Sequence, residues 1–239
     1  FRDFTKQRAM AKMKDEFIST VSHELRTPLT SIIGSIGLIV GGTLGPLPEQ
    51  ADNLLQIVRD NGDRLLALIN DLLDVEQITT GNMAYHMEEL VVGEVIEEAV
   101  KSHQGYAEQF GVTIASSITC ADTRVHGDKA RLLQVMANLL SNATKYSPKG
   151  DTIEVSAATA GENVRISVSD NGPGIPLEFR QQIFEKFTQA DASDTRLVGG
   201  TGLGLWICKA IVDHHEGQIG FDTETGAGTT FFVVLPSQG

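Results

Sequence analysis

The sequence has 239 residues, of which 41% are hydrophobic and 21% are charged, values typical of a globular protein with one or two domains. A formal net charge of −12 argues against nucleic-acid binding, because an acidic surface repels a phosphate backbone. No apolar stretch approaches the ~20 residues of a membrane-spanning helix, and no signal peptide is visible. We expect this sequence to be a cytoplasmic fragment of a longer protein. That longer protein could itself be anchored in a membrane.

The first part of the chain shows the periodicity of two long helices. Apolar residues recur at steps of three and four between Met10 and Ile39, and again between Leu54 and Val75. Glycine and proline between residues 41 and 48 predict the loop that joins the helices. Because two helices cannot cover both apolar stripes, the pattern favours a symmetric dimer that forms a four-helix bundle. A monomeric hairpin packed on the rest of the chain is the alternative.

From about residue 85 the pattern changes to short strands that alternate with helices. Helical periodicity lies at about 93–109, 128–145 and 202–215. Strand patterns lie at 112–115, 152–156, 164–168, 218–221 and 229–234. This alternation predicts an α/β sandwich with helices on one face of a mixed sheet.

A histidine, a carboxylate and a hydroxyl lie close together near the start of the first predicted helix. Thr27 follows His23 by four residues and shares its helix face, and Glu24 is adjacent. A neutral imidazole can accept a phosphoryl group near pH 7; Glu24 can orient the ring, and Thr27 can hold a water molecule. Pro28 deletes a helical hydrogen bond and predicts a bend beside the histidine. Taken alone, the segment is equally compatible with an ordinary surface histidine.

Two asparagines on the helix predicted at 128–145 are candidate ligands of a divalent cation. Asn138 and Asn142 are four residues apart and share one face. Amide oxygens suit Mg²⁺, and Lys145 adds a positive charge for a phosphate group. A polar stripe on a surface helix is the alternative interpretation.

Three glycine-containing segments complete a candidate nucleotide site. Asp170 follows a predicted strand and can accept a hydrogen bond from an amino group such as that of adenine, while Gly172 and Gly174 permit a tight turn. The run of glycines at 199–204 leads into a helix, whose N-terminal amides attract phosphate. It is neither a P-loop nor a convincing dinucleotide fingerprint. The segment 226–229 is equally well explained as a hairpin turn.

A long connection between the turn at Gly172 and Gly174 and the run of glycines at 199–204 predicts a lid over the nucleotide. It contains Phe184 and Phe187, which would anchor it, and Arg196, which would reach the terminal phosphate. Both phenylalanines serve equally well as ordinary core residues.

Together and in this order, these segments resemble the H, N, G1, F and G2 boxes of the bacterial sensor histidine kinases, over roughly residues 12–236. The resemblance implies two domains. Residues 13–81 would form an all-α helical hairpin that dimerises into a four-helix bundle and carries the phosphorylated histidine. Residues 85–239 would form an ATP-binding α/β sandwich of the GHKL (Bergerat) type shared with gyrase, Hsp90 and MutL. Residues 1–12 look like the tail of an upstream sensor, possibly of PAS type, running into a signalling helix.

The resemblance also implies roles for individual residues. His23 would be phosphorylated, with Glu24 assisting; the water that Thr27 can hold would favour dephosphorylation. Mg²⁺ would be held by Asn142 and Asn138. The ATP site would comprise Asn138, Asn142, Lys145, Tyr146, Asp170, Gly172, Gly174, Ile175, Phe187, Arg196, Gly200, Thr201, Gly202, Leu203, Gly204 and Thr229. Gln189 departs from the pattern, since many relatives carry arginine there.

The expected activity is ATP-dependent autophosphorylation, followed by phosphoryl transfer to an aspartate in the receiver domain of a response regulator. Phosphatase activity on the regulator is expected to accompany it. Three alternatives stay open: a phosphatase-dominant protein, a non-catalytic dimeric scaffold whose nucleotide site switches shape, and an Hsp90- or MutL-like ATPase. No contact with nucleic acid is expected.

Overall fold

The computed structural model describes residues 25–42, 45, 47–188 and 201–238. The chain divides into two compact units, Phe1–Met83 and Ala84–Gly239. Among the described residues, no helix is both long enough and apolar enough to cross a membrane.

The first unit is a helical hairpin, as the periodicity predicts. Helix α1 is described over residues 25–40 and continues through Pro28, and α2 spans Glu49–Thr80. Helix α2 ends at Gly81, which adopts the left-handed conformation (φ 71°) and donates its amide back to the last turn. The guanidinium of Arg26 on α1 donates to the side-chain oxygen of Asn70 on α2 at 2.6 Å.

The hairpin leaves most of its apolar stripe exposed. Ile36, Ile69, Leu73 and Met83 are buried in the described part of this unit. The large apolar side chains that remain exposed are Leu25, Ile32, Leu38, Leu54, Ile57, Val58, Leu65, Leu68 and Leu72. The two helices therefore cover only part of each other's apolar surface, which is the physical basis on which the sequence favours a dimer.

The second unit contains three helices and seven strands in the described ranges. The helices are α3 (Val92–Phe110), α4 (Lys129–Tyr146) and α5 (Gly204–His214). The strands are β1 (Glu88–Val91), β2 (Thr113–Ile118), β3 (Arg124–Gly127), β4 (Thr152–Ala160), β5 (Asn163–Asp170), β6 (Gln218–Glu224) and β7 (Gly228–Gln238).

These strands form one mixed sheet in the order β1-β3-β7-β5-β4-β2, with β6 also pairing to β7. The β2–β4 pair is parallel and the other pairs are antiparallel. Alternate apolar side chains are buried along the two central strands, and α4 packs against β5: they are Val164, Ile166 and Val168 on β5 and Phe231, Val233 and Leu235 on β7. The structure therefore confirms the predicted sandwich. It adds β1 and β3, which are too short to show a periodicity in the sequence.

Candidate functional site

Helix α4 positions the two asparagines. Asp128 caps the helix, because its carboxylate accepts the backbone amide of Arg131 at 3.0 Å. The apolar residues of α4 face the core, so Asn138 and Asn142 lie together at the half-buried edge of the helix. The amide nitrogen of Asn138 donates to the backbone oxygen of Gln134 at 3.3 Å, which leaves its oxygen as the group turned outward from the helix.

The start of α5 meets α4 at Asn138. A Cβ atom on Gly204 would lie 2.6 Å from the side-chain oxygen of Asn138, so the lack of a side chain at Gly204 lets α5 approach this oxygen without displacing it. Gly204 is the first residue of α5, and the amides of that turn have no partner within the helix. An amide oxygen that suits a cation and a helix N-terminus that suits an anion therefore lie side by side.

The carboxylate of Asp170 is buried at the end of β5. It accepts the backbone amide of Gly172 at 2.9 Å and also that of Thr229. Burial raises the pKa of Asp170; the two backbone hydrogen bonds oppose this rise, and the nearby charge of Asp151 adds to it. A buried carboxyl group held by two fixed donors has a defined orientation, which suits recognition of a ligand amino group.

The turn after β5 has no space for side chains at its glycines. A Cβ on Gly172 would lie 2.7 Å from the backbone oxygen of Tyr146 at the end of α4. Gly174 adopts φ +71°, and its Cβ would lie 2.3 Å from the backbone oxygen of Glu224. A Cβ on Gly228 would lie 2.0 Å from the backbone oxygen of Asp170. The turn is thus packed directly against α4 and against the β6–β7 hairpin.

Two threonines of the β6–β7 hairpin, Thr223 and Thr229, support the glycine turn that follows β5. The hydroxyl of Thr223 accepts the backbone amide of Ile175 at 3.0 Å and donates to the backbone oxygen of Gly228 at 2.9 Å. It also lies 3.0 Å from the hydroxyl of Thr229. Thr229 was expected from the sequence, whereas Thr223 was not. The signal that marks Thr223 is its pairing with Thr229 in the hairpin register, which requires knowledge of the strand pairs.

The segment before α5 is hydrogen-bonded to Phe187, the second phenylalanine of the F box. The backbone amide of Phe187 donates to the oxygen of Gly202 at 2.8 Å, and both residues adopt positive φ angles. Phe187 is 68% exposed, whereas Leu203 is buried and Thr201 accepts the Leu203 amide at 3.0 Å. Phe184 contacts Phe221 of β6, with ring centroids 6.1 Å apart. The two phenylalanines therefore differ, since one packs on the sheet and the other presents its ring to solvent.

The remaining predicted residues fall into three groups. Lys145 is half-buried and Tyr146 is 43% exposed, and both lie at the C-terminal end of α4 beside the glycine turn. Thr27 is exposed on α1. Four predicted residues lie outside the described part of the chain, and their positions stay predictions: His23, Glu24, Arg196 and Gly200. Within the second unit, the turn after β5 contacts the end of α4 and the β6–β7 hairpin, and the start of α5 contacts the same helix α4 at Asn138, about two turns earlier.

Comparison with known proteins agrees with both units. The family model described as "His Kinase A (phospho-acceptor) domain" matches residues 13–81. The family model described as "Histidine kinase-, DNA gyrase B-, and HSP90-like ATPase" matches residues 127–239. The second unit thus has the fold of that ATPase class, and the class of protein is one that joins it to a phospho-acceptor domain.

Relatives and solved structures define the family further. The chain is 37% identical over 228 residues to the circadian input-output histidine kinase CikA of Synechococcus elongatus, a match that covers 94% of this chain and 30% of CikA. It is 34% identical over 235 residues to the sensor protein SrrB of Staphylococcus aureus, covering 98% of this chain and 40% of SrrB. The chain belongs to the sensor histidine kinase family. It spans less than half the length of these relatives.

Solved histidine kinases share the fold. Full-length ShkA, determined in complex with AMPPNP, superposes with a TM-score of 0.72 at 29% identity, over 93% of this chain and 46% of ShkA. The Acinetobacter baumannii histidine kinase AdeS superposes with a TM-score of 0.62 at 25% identity, over 91% of this chain and 98% of that one.

Proposed function

We propose that this chain binds ATP in its second unit, transfers the γ-phosphoryl group to His23, and passes it on to an aspartate in the receiver domain of a response regulator. The observation that carries the proposal is that α4 meets two candidate ligand-binding segments, the start of α5 at Asn138 and the glycine turn after Asp170 at its C-terminal end, in a chain that also contains a phospho-acceptor domain.

The residues of the candidate site fit a magnesium nucleotide. The oxygen of Asn138 lies beside the N-terminus of α5, so a cation and a phosphate group would be held next to each other. Asn142 would supply a second amide oxygen, and Lys145, Arg196 and the glycines at 200–204 would meet the phosphates. Mg²⁺, when bound, would neutralise phosphate charge. Asp170 would accept the amino group of adenine.

Phosphoryl transfer has a loose transition state, so catalysis consists mainly of positioning and charge stabilisation. In the proposed reaction, a ring nitrogen of His23 attacks the γ-phosphorus in line with the departing ADP oxygen. Glu24 hydrogen-bonds the other ring nitrogen and stabilises the positive charge that develops on the imidazole. These roles of His23 and Glu24 are predictions from the sequence and the family.

A phosphatase activity on the regulator is the second candidate function. Thr27 favours it, since its hydroxyl is exposed on α1 one helical turn beyond the position of His23 and can hold a water molecule. The Thr27→Ala variant should keep autophosphorylation and slow the loss of phosphate from the regulator. Equal rates of dephosphorylation in the variant and the wild type would remove this function from the proposal.

The assembly proposed for the active protein is a homodimer through the helical hairpin. In the described parts of α1 and α2, nine large apolar side chains are exposed, and a second copy of the hairpin would bury them in a four-helix bundle. The proposal places residues 1–12 after an upstream sensor, possibly of PAS type, residues 13–81 in the dimerisation and phosphotransfer domain, and residues 85–239 in the catalytic domain. It includes a cytoplasmic location.

One experiment tests the kinase proposal against its alternatives. The wild type and His23→Gln are incubated with Mg²⁺ and γ-labelled ATP, and the stability of any labelled product is measured in acid and in base. A phosphohistidine is labile in acid and stable in base, so acid-labile label in the wild type and none in the variant is the expected result. Label in the variant at the wild-type level would refute His23 as the acceptor. Nucleotide binding without label would support the scaffold, and nucleotide hydrolysis independent of His23 would support the ATPase.

A further inference from the structure

Helices α4 and α5, which carry the asparagines and the N-terminal glycine of the candidate site, pack against each other in opposite directions. The contacts between them are spaced alike on both helices: successive contacts are seven and then four residues apart on α5, and seven and then three residues apart on α4. Three contacts define this register: His215 with Asp128, Cys208 with Val135, and Gly204 with Asn138. The contact of His215 with Asp128 lies at the end of the helix pair that is farther from the candidate nucleotide site.

His215 makes that contact with both of its ring nitrogens in use. The side chain is 3% exposed, and its Nδ1 lies 2.7 Å from the backbone oxygen of Ile211. Its Nε2 lies 2.9 Å from the backbone nitrogen of Asp128, which donates the hydrogen bond. Because the Ile211 oxygen can only accept, Nδ1 must carry the proton and Nε2 must be the acceptor. The neutral ring therefore links the C-terminal end of α5 to the N-cap of α4.

The first residues of the second unit are held against the same two helix ends. The Asp128 carboxylate accepts the backbone amide of His86 at 2.8 Å. The ring of Tyr85 stacks on His214, with centroids 3.6 Å apart and an interplanar angle of 12°. Tyr85 also meets His215 edge-on at 5.9 Å. One cluster, called the joint below, therefore connects the start of the second unit with the N-terminal end of α4 and the C-terminal end of α5. It consists of Tyr85, His86, Asp128, His214 and His215.

The two helices also bury large apolar side chains, among them Leu139 of α4 and Ile207 and Ile211 of α5. Apolar contact is less directional than a hydrogen bond, so it limits how far one helix slides along the other less sharply than a hydrogen bond does. A hydrogen bond to a buried backbone amide does fix that distance, since a shift leaves the amide without a partner. A slip of one residue would move α5 by about 1.5 Å, enough to separate Gly204 from Asn138.

We propose that His215 is a positioning residue for the nucleotide site: its bond to the Asp128 amide sets the register of α5 on α4 and so holds the α5 N-terminus beside Asn138. This inference rests on the proposed nucleotide binding. His215 itself lies a full helix length from Gly204, about 16 Å for the 11 residues of α5, and does not contact the nucleotide.

Two substitutions of His215 separate its two hydrogen bonds. In His215→Asn the amide nitrogen takes the place of Nδ1, so the bond to Ile211 remains and the bond to Asp128 is lost. In His215→Gln the amide reaches the position of Nε2, so its oxygen can accept the Asp128 amide. Asp213→Asn is the matched control, because Asp213 lies on the same helix turn, is exposed and pairs with Lys209 rather than with the joint.

The measurement is the Kd for ADP with Mg²⁺ by calorimetry, on the whole chain, at a temperature where circular dichroism shows each variant folded. We expect His215→Asn to raise the Kd roughly threefold to tenfold, about the effect of one buried hydrogen bond. His215→Gln and Asp213→Asn should stay within about twofold of the wild type. An unchanged Kd in His215→Asn, or equal weakening in His215→Asn and His215→Gln, would overturn the inference. A wild type that does not bind ADP would instead refute the proposed function.

Gly127→Ala covers the case in which His215→Asn does not fold. A Cβ at Gly127 would lie 2.9 Å from the Cδ2 atom and 3.2 Å from the Nε2 atom of His215, and 3.0 Å from the Cδ1 atom of Leu132, so the added methyl crowds the ring while His215 and Asp128 both stay unsubstituted. We expect a weaker Kd for ADP and no loss of the maximal autophosphorylation rate at saturating ATP. A wild-type Kd in a folded Gly127→Ala protein would count against the positioning role.

Discussion

Replacing the carboxylate of Asp170 by an amide is the most direct test of how the nucleotide site recognises its ligand. In Asp170→Asn the shape is kept, but one acceptor oxygen becomes a donor. That donor faces either the backbone amide of Gly172, 2.9 Å from the carboxylate, or the amide of Thr229. The side chain then either orients its remaining oxygen toward one of these amides or offers it to the ligand.

The expected magnitude follows from the burial and partners of Asp170. A hydrogen bond to a charged group contributes about 1.5–3 kcal/mol, which is roughly 10- to 150-fold in Kd. The effect on folding should be much smaller. Burial raises the pKa of Asp170, so the folded protein holds the charged carboxylate at a cost, and a neutral amide removes that cost while losing one backbone bond. We expect a change of about 1 kcal/mol or less in the free energy of unfolding.

The assay is calorimetric titration with ADP and with GDP in the presence of Mg²⁺, together with a thermal melt. The wild type should prefer ADP, because GDP presents a carbonyl oxygen where adenine has its amino group, and Asp170→Asn should lose most of that preference. Asp222→Asn is the control, since Asp222 is an exposed carboxylate that pairs with Arg165 at 2.8 Å. Wild-type ADP affinity in Asp170→Asn, or equal weakening in the control, would refute the reasoning.

Three further predictions concern stability and assembly. Gly174→Ala should lower the free energy of unfolding by more than Gly161→Ala in thermal melts; both positions have positive φ, but only a Cβ at 174 meets a backbone oxygen, at 2.3 Å. An equal decrease in the free energy of unfolding in both variants would show that the turn around Gly174 adjusts to the added methyl group. Burial lowers the pKa of His215, so the unfolded chain takes up the proton first. Its stabilising contribution should therefore be complete above the ordinary histidine pKa of about 6.5 and decrease as pH falls through the lower folded pKa. A wild type and His215→Gln with parallel stability–pH curves between pH 7 and 5 would contradict this. Leu54, 65% exposed on α2, should be needed for the dimer. Leu54→Lys should shift the mass measured by light scattering toward the monomer, whereas Asn53→Lys should not, and a dimer in both would move the interface elsewhere.

Much of the fold could be predicted because it depends on local periodicity. The hairpin follows from apolar steps of three and four residues, and the loop from the glycines and prolines between residues 41 and 48. Strands β4, β5 and β7 alternate clearly, because one face is buried and the other is not. Strands β1 and β3 span only four residues each, so no alternation could be recognised, and the pairing of Glu88–Val91 with Arg124–Gly127 defines them.

The candidate site divides in the same way. The spacing of Asn138 and Asn142 and the glycines near 172 and 202 are readable along the chain, since each depends on a short segment with its own conformational requirement. The role of Thr223 is not, because its hydroxyl supports Ile175 from 48 residues away.

The sequence by itself determined which chemical groups this protein has and in what local geometry: a histidine, glutamate and threonine on one predicted helix, two amides on another, and glycines where a backbone must come close. Only the tertiary structure decided which of these meet. The contact of Gly204 with Asn138, the fit of Gly174 against Glu224 and the link from His215 to Asp128 all join residues far apart in the chain. Such contacts depend on how elements pack, and packing is set by the whole core rather than by any one segment.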